Sequence, residues 1–287
     1  MKLPRLRALI LLAALFIAPG ARAQTINTDV AVNFIYAFEL GFGSYSIGGL
    51  NVQAYSIPLQ YTFSKIMGNE KLDLVVDAPV YFGRFRFRGH TPDGTRIKVD
   101  QDVLSVIPGL TLNYRVVDNW TLKPFVNAGL AWSIYDKSSP SGLKADDSLI
   151  YVWAAGLTSL YEIFWEQFRF SIGNTFAWAG NDVFGGGAGQ DFGVLENGVE
   201  ARRSLGFTYK GYEPDASVFF VWYRFLPKTS FDRYLHDPLI VKNQYEISMT
   251  AGLANPKKIW FLEDPRIGVG YRFGDLDAFT VNFGFPF

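Results

Sequence analysis

The sequence predicts an all-β fold: a closed, antiparallel transmembrane β-barrel of about twelve strands with both chain ends in the periplasm. Three observations predict it. Apolar and polar residues alternate with a period of two along most of the chain, the repeat of strands with one apolar face. Aromatic residues make up 17% of the chain and charged residues only 19%, which suits an apolar exterior better than a water-soluble surface. Beyond the N-terminal segment no apolar run reaches the roughly 18 residues of a helical span.

The first element is a targeting segment. Lys2, Arg5 and Arg7 make a basic start, Ala8 to Ala18 an apolar stretch, and Pro19-Gly20 a break. Ala21-Arg22-Ala23 then supplies the small-x-small pattern of a cleavage site, with Ala21 and Ala23 as its small residues. The apolar stretch is too short to anchor the chain. Residues 1–23 are therefore read as a cleaved signal peptide and 24–287 as one barrel domain in a Gram-negative outer membrane, 287 − 23 = 264 residues long. The chain has no cysteine, which suits passage through an oxidising periplasm and leaves no lipoprotein site. A net charge of zero argues against a nucleic-acid partner.

Twelve stretches carry the alternation. The first spans 29–39, with Val30, Val32, Phe34, Tyr36 and Phe38 on one face. The second spans 51–63, and the third 71–88. In the third, Leu72, Leu74 and Val76 give way to Phe85 and Phe87, so a β-bulge near Phe82-Gly83 is expected to switch the outward face. The fourth to seventh span 102–114, 120–134, 149–163 and 168–178. The eighth, 194–209, is defined mainly by Leu205, Phe207 and Tyr209. The ninth, 216–225, shows Phe219, Val221, Tyr223 and Phe225 as its outward face. The tenth and eleventh span 243–253 and 264–273. In the last, Phe279, Val281, Phe283, Phe285 and Phe287 share one face. Pro58, Pro79 and Pro108 fall inside consecutive strands, where each removes a ladder donor, so an irregular zone is expected there.

Connections alternate in length. Segments 64–70, 115–119, 164–167, 210–215 and 254–263 read as periplasmic turns, and 40–50, 89–101, 135–148, 179–193 and 226–242 as longer external loops. Aromatics such as Trp120, Tyr161, Trp132 and Trp178 fall near strand ends, as in an interfacial girdle.

The inward face is the candidate site. By parity it carries Asp73, Asp77, Arg84, Arg86, Lys123, Arg169, Glu200, Arg202, Arg224, Glu246, Arg266 and Arg272. Two readings stand: ion pairs filling a narrow lumen, or a pore whose surplus of arginine selects anions. Catalysis has little basis, because the two histidines, His90 and His236, both fall in expected loops. No strand offers a Ser-His pair. The run Gly185-Gly186-Gly187-Ala188-Gly189 lacks the Lys-Ser/Thr of a phosphate loop. No cofactor and no metal are expected.

Two segments carry a family resemblance. Ile107-Pro108-Gly109-Leu110 with Asp118-Asn119-Trp120-Thr121-Leu122-Lys123-Pro124-Phe125-Val126, and Ala154-Ala155-Gly156 through Ser171-Ile172-Gly173, resemble the solitary outer-membrane autotransporter β-barrel family. The resemblance covers about two-fifths of the chain, and implies a translocator-type barrel without its passenger. The alternating aromatics ending at Phe287 resemble the signal read by the outer-membrane barrel assembly machinery, which is then a partner beside outer-membrane lipids and lipopolysaccharide. Asp77-Ala78-Pro79-Val80-Tyr81-Phe82-Gly83 resembles a segment of nucleoside-channel barrels. The expected role is structural or that of a small-solute pore. The alternatives are a surface-loop enzyme of protease or lipase type, an adhesin, or a nucleoside-channel-like porin.

Overall fold

The computed structural model describes residues 43–47, 50–57, 59–90, 96–135, 148–185, 189–230, 240–254, 266–275 and 277–287. The expected signal peptide with Ala21 and Ala23, the expected strand 29–39 and His236 lie outside these residues. What is described is almost wholly extended chain. Fifteen strand segments form one antiparallel sheet. They are β1 (Gly43–Ile47), β2 (Leu50–Ile57), β3 (Gln60–Phe63), β4 (Leu72–Asp77), β5 (Val80–His90), β6 (Arg96–Val106), β7 (Gly109–Val117) and β8 (Trp120–Tyr135). Then come β9 (Ser148–Trp165), β10 (Phe168–Val183), β11 (Gln190–Ser204), β12 (Pro214–Ser230), β13 (Ile240–Leu253), β14 (Ile267–Gly274) and β15 (Asp277–Asn282). A single 3₁₀ turn, Ile66–Gly68, joins β3 to β4.

Consecutive strands from β8 to β15 pair in order, and β15 pairs with β1. The ladder continues through β2, β5 and β6, and β6 pairs with the Leu130–Tyr135 part of β8. β8 is thus met at both ends of the walk.

The proline zone takes a form that the alternation alone does not give. β2 and β3, β4 and β5, and β6 and β7 follow one another as extended runs interrupted between Ile57 and Gln60, at Ala78-Pro79 and at Ile107-Pro108; Pro58 lies outside the described residues. The interruptions are matched across the sheet: Ile57 pairs with Val80 and Gln60 with Asp77, while Val80 pairs with Val106 and Asp77 with Gly109. Register is identical on both sides of the gap, so no residue is inserted. Proline cannot donate to the ladder, but its carbonyl still accepts: Ile107 N–H donates to Pro79 O at 3.2 Å and Ala128 N–H to Pro108 O at 3.0 Å.

Unbroken register corrects the expected bulge at Phe82-Gly83. Odd-numbered residues face inward from Val75 through Phe85, so Phe85 is buried at 1% exposure while Phe82 is exposed. β12 is likewise reversed from expectation. Phe219, Val221, Tyr223 and Phe225 are all buried, and Val218 and Phe220 are the exposed residues. Both faces of β12 are apolar, so alternation could not orient it. Leu205, Phe207 and Tyr209 lie beyond the end of β11, exposed in a hairpin closed by mutual Tyr209–Tyr212 backbone hydrogen bonds.

The strands are also longer than the sequence suggested, which removes the contrast between short and long connections. β10 runs to Val183 and β11 starts at Gln190, inside an expected loop, and β5 includes His90. The stretch expected as loop 40–50 contains β1.

The C-terminal residues depart furthest from expectation. β15 ends at Asn282, where its partner Gly268 is next to the start of β14. Gly284 then adopts φ +128, a region side chains rarely allow, and Pro286 has no N–H to continue a ladder. Phe279 is exposed on the outer face, but Phe285 and Phe287 turn inward and pack against the interior apolar cluster. The residues Phe279, Val281, Phe283, Phe285 and Phe287 are therefore not one face of one strand.

Candidate functional site: a charged chamber inside the sheet

The interior divides into two halves. Towards the end bearing the β5–β6 and β12–β13 connections, inward side chains are mostly apolar: Val52, Phe85, Val103, Ile150, Phe192, Val194, Phe225 and Val241 are each at most 3% exposed and belong to one cluster, with Gln101, Ser133 and Gln244 buried among the same rows. Phe192 and Phe225 meet with ring centroids 5.9 Å apart. Towards the end bearing the 3₁₀ turn charged and polar side chains join the wall beside Phe125 and Phe219, around a partly open cavity of about 860 Å³.

Most of the sequence-predicted charges reach this cavity. Asp77, Lys123, Arg169, Glu200, Arg202, Glu246, Arg266 and Arg272 all line it. Most come from strands on which inward parity is clear from small or polar neighbours, such as Ser171 and Thr175 on β10 or Ser248 and Thr250 on β13.

Two ion-pair networks hold one side of the wall. Asp215, 1% exposed, accepts from Arg202 Nε and, at 2.7 Å, from Arg266 Nη1. Arg202 also donates to Leu253 O at 2.7 Å, and Arg266 to Thr250 Oγ1 at 3.0 Å. In the second network Arg272 Nε donates to Glu246 Oε2 at 2.7 Å, and Tyr223 Oη to the same oxygen at 3.1 Å. Ser248 Oγ and Asn282 Nδ2 donate to Glu246 Oε1 at 2.9 and 3.0 Å. The Arg272 guanidinium also stands 4.5 Å from the Tyr223 ring centroid. A carboxylate removed from water needs this many donors, because an unpaired buried charge costs several kcal/mol, roughly 3–5 when one partner is lost.

The far wall is less committed. Arg169 Nη1 lies 3.5 Å from Glu162 Oε1, a loose pair with both side chains partly exposed. Arg169 Nε and Glu200 Oε1 have no hydrogen-bond partner. Asp77 Oδ2 accepts a 3.2 Å bond from Asn127. The chamber therefore offers both a donor and acceptors to a small polar solute.

Four predicted site residues lie elsewhere. Arg84 and Arg86 point outward, opposite in parity to Phe85, and Arg84 pairs with Asp102 of β6 at 2.8 Å where both side chains are 39% exposed. Arg224 also points outward, donating to Asn243 Oδ1 at 3.1 Å beside Trp222. In each case the inward positions beside these arginines are taken by the apolar cluster around Phe85 and Phe225, and the charge takes the outer face. Asp73 accepts the Lys65 N–H at 2.9 Å and fastens the 3₁₀ turn. Asp215 and Tyr223 are the site residues that sequence reasoning missed. Their parity was hidden by the two apolar faces of β12, although Ser217 next to Asp215 was the available signal.

Among the described residues no group of three or more His, Asp or Glu is placed to hold a metal, and no helix is long and apolar enough to cross a membrane. No family model matches the sequence, and no curated protein does. Among solved structures the chain is similar to the transport unit of the autotransporter AIDA-I from Escherichia coli. The TM-score is 0.48 at 15% identity, over 85% of this chain and 86% of that one.

Proposed function

We propose that this chain is an integral outer-membrane β-barrel protein of translocator type, whose lumen is shut rather than open. One observation carries the reading: the molecule is inside out. Val126, Leu157, Ile172, Val218, Ile247 and Val269 stand on the outer face at 41% to 67% exposure, while Asp215 and Glu246 are buried at 1% and 2%. Water-soluble monomers rarely expose contiguous apolar surface beyond a few hundred Å². A hydrocarbon layer solvates such a belt, provided that every backbone group is satisfied within the ladder.

The return of the ladder to β8 supports closure into a barrel. Among the described residues, the fifteen segments count as twelve runs when β2 with β3, β4 with β5 and β6 with β7 are each taken as one, which supports a barrel of about twelve strands. Aromatics rim the belt, with Trp120, Tyr161 and Tyr209 at one end and Tyr55, Phe82, Trp132 and Trp178 at the other. Outer-membrane lipid, lipopolysaccharide and the assembly machinery are the partners this reading requires.

The apolar cluster around Phe85, Phe192 and Phe225 supports a shut lumen, because a passage for ions would have to run through it. The second reading, a small-solute pore, is favoured by the 860 Å³ chamber. Planar-bilayer recording of the purified, refolded protein tests both. Silence with intact, heat-modifiable barrel is expected, and discrete ion-selective openings would establish the pore. Release of the protein from membranes by alkaline carbonate would overturn the membrane reading itself.

A further inference from the structure

We propose that the inner wall holds a site for an aromatic ring, built on Gly173 and Gly198, which the chain fills with its own C-terminal Phe287 and so covers the chamber wall from within. The two glycines are register partners on β10 and β11. Both face the interior, in the same rows as Ser171 and Thr175 and as Glu200 and Arg202. Paired glycines in the middle of two long strands weaken a sheet, since they add backbone freedom and contribute no packing. They are understandable where something must lie directly on the backbone.

Phe287 does so. A Cβ added at Gly173 would stand 2.1 Å from Phe287 Cγ, and one at Gly198 would stand 2.5 Å from Phe287 Cε2. Neither position has room for even a methyl group while the ring is seated. The ring is held by others: Phe285 meets Phe287 at 4.8 Å between centroids, and Phe285 meets Phe219 edge-on at 5.6 Å. Offset and edge-to-face contacts at these distances are attractive. Gly284, at φ +128, makes the reversal from β15 possible, and Pro286 stiffens the link between the two rings. Phe285, Pro286 and Phe287 then form part of the chamber's lining.

The arrangement concerns this chain's own tail and does not depend on the outer-membrane reading. The absence of native cysteine makes a clean test available. In the full-length refolded protein carrying Gly173→Cys and Phe287→Cys, mild oxidation should form an intramolecular disulfide. The added Cβ at Gly173 lies 2.6 Å from Phe287 Cβ, and a small shift of the free tail reaches the separation of about 3.8 Å that a disulfide prefers. The Gly198→Cys/Phe287→Cys pair asks the same question if the first does not fold. In a second arm, Ser171→Cys is labelled with a small polar thiol reagent, with and without Phe285→Ala/Phe287→Ala. Losing the rings should speed labelling of the folded barrel at least tenfold. Absence of a disulfide in both pairs, or equal labelling rates in folded protein, overturns the proposal. If the double alanine variant does not fold, the disulfide result alone decides.

Discussion

Arg272 Nε donates to Glu246 Oε2 at 2.7 Å across the β13–β14 pair, and this contact organises the buried polar network on its side of the chamber. Glu246 also accepts from Tyr223, Ser248, Thr280 and Asn282, so removing the carboxylate leaves several buried donors without an acceptor. Glu246→Ala should lower unfolding free energy by about 3–5 kcal/mol, the usual result of stranding a buried cation. Glu246→Gln, which keeps an acceptor and the shape, should cost clearly less. Urea titration of the refolded protein in lipid vesicles measures both. Equal losses would mean that the charge itself, and not the acceptor or the shape that glutamine keeps, carries the contribution of Glu246.

Asp215 sets up a sharper asymmetry. It serves two arginines, Arg202 and Arg266, so Asp215→Asn should destabilise more than either Arg202→Gln or Arg266→Gln alone. The triple replacement by neutral residues should recover part of the loss, because no unpaired charge then remains in the interior. The comparison is a set of unfolding midpoints. A triple variant worse than Asp215→Asn would show that the three groups support the fold in some way other than by cancelling one another.

Orientation at the apolar end can be read with single cysteines. Arg86→Cys should react with a water-soluble maleimide in the folded protein, while Phe85→Cys should be at least tenfold slower, since the native Phe85 is 1% exposed and Arg86 is exposed. The reverse order would restore the bulge at Phe82-Gly83.

These outcomes bear on what the sequence made legible. Strands with one polar and one apolar face were oriented correctly by alternation alone: Lys123 with Asn127 on β8, and Arg266 just before β14 with Arg272 within it, face inward as their neighbours implied. Where both faces are apolar the rule has nothing to act on. β12 is the clear case, and its reversal hid Asp215 and Tyr223 while misplacing Arg224. On β5 the assumption that charge must face inward was the error, because Phe85 belongs to an apolar interior and Arg84 finds Asp102 outside. The C-terminal alternation was genuine as a pattern, yet Gly284 and Pro286 decide the path of the last residues. A period of two cannot register a single positive φ.

The final prediction separates a lipid-facing belt from mere surface exposure. Val126 and Ile134 both lie on the outer face of β8, at 52% and 56% exposure, so neither is packed tightly against protein. They differ in position along the strand. Val126 sits between the rim residues Trp120 and Trp132, whereas Ile134 lies beyond Trp132 and opposite Asp102, the partner of Arg84. In water the two sites would tolerate arginine equally. In a bilayer an outward arginine costs about 2–4 kcal/mol near the midplane and about 0–1 near the interface. Val126→Arg should therefore destabilise the refolded barrel by the larger amount and Ile134→Arg by the smaller, measured in lipid vesicles. The gap should shrink in short-chain detergent, where a charged side chain reaches water easily. Equal, small effects of the two substitutions in vesicles would mean that the belt around Val126 does not face hydrocarbon.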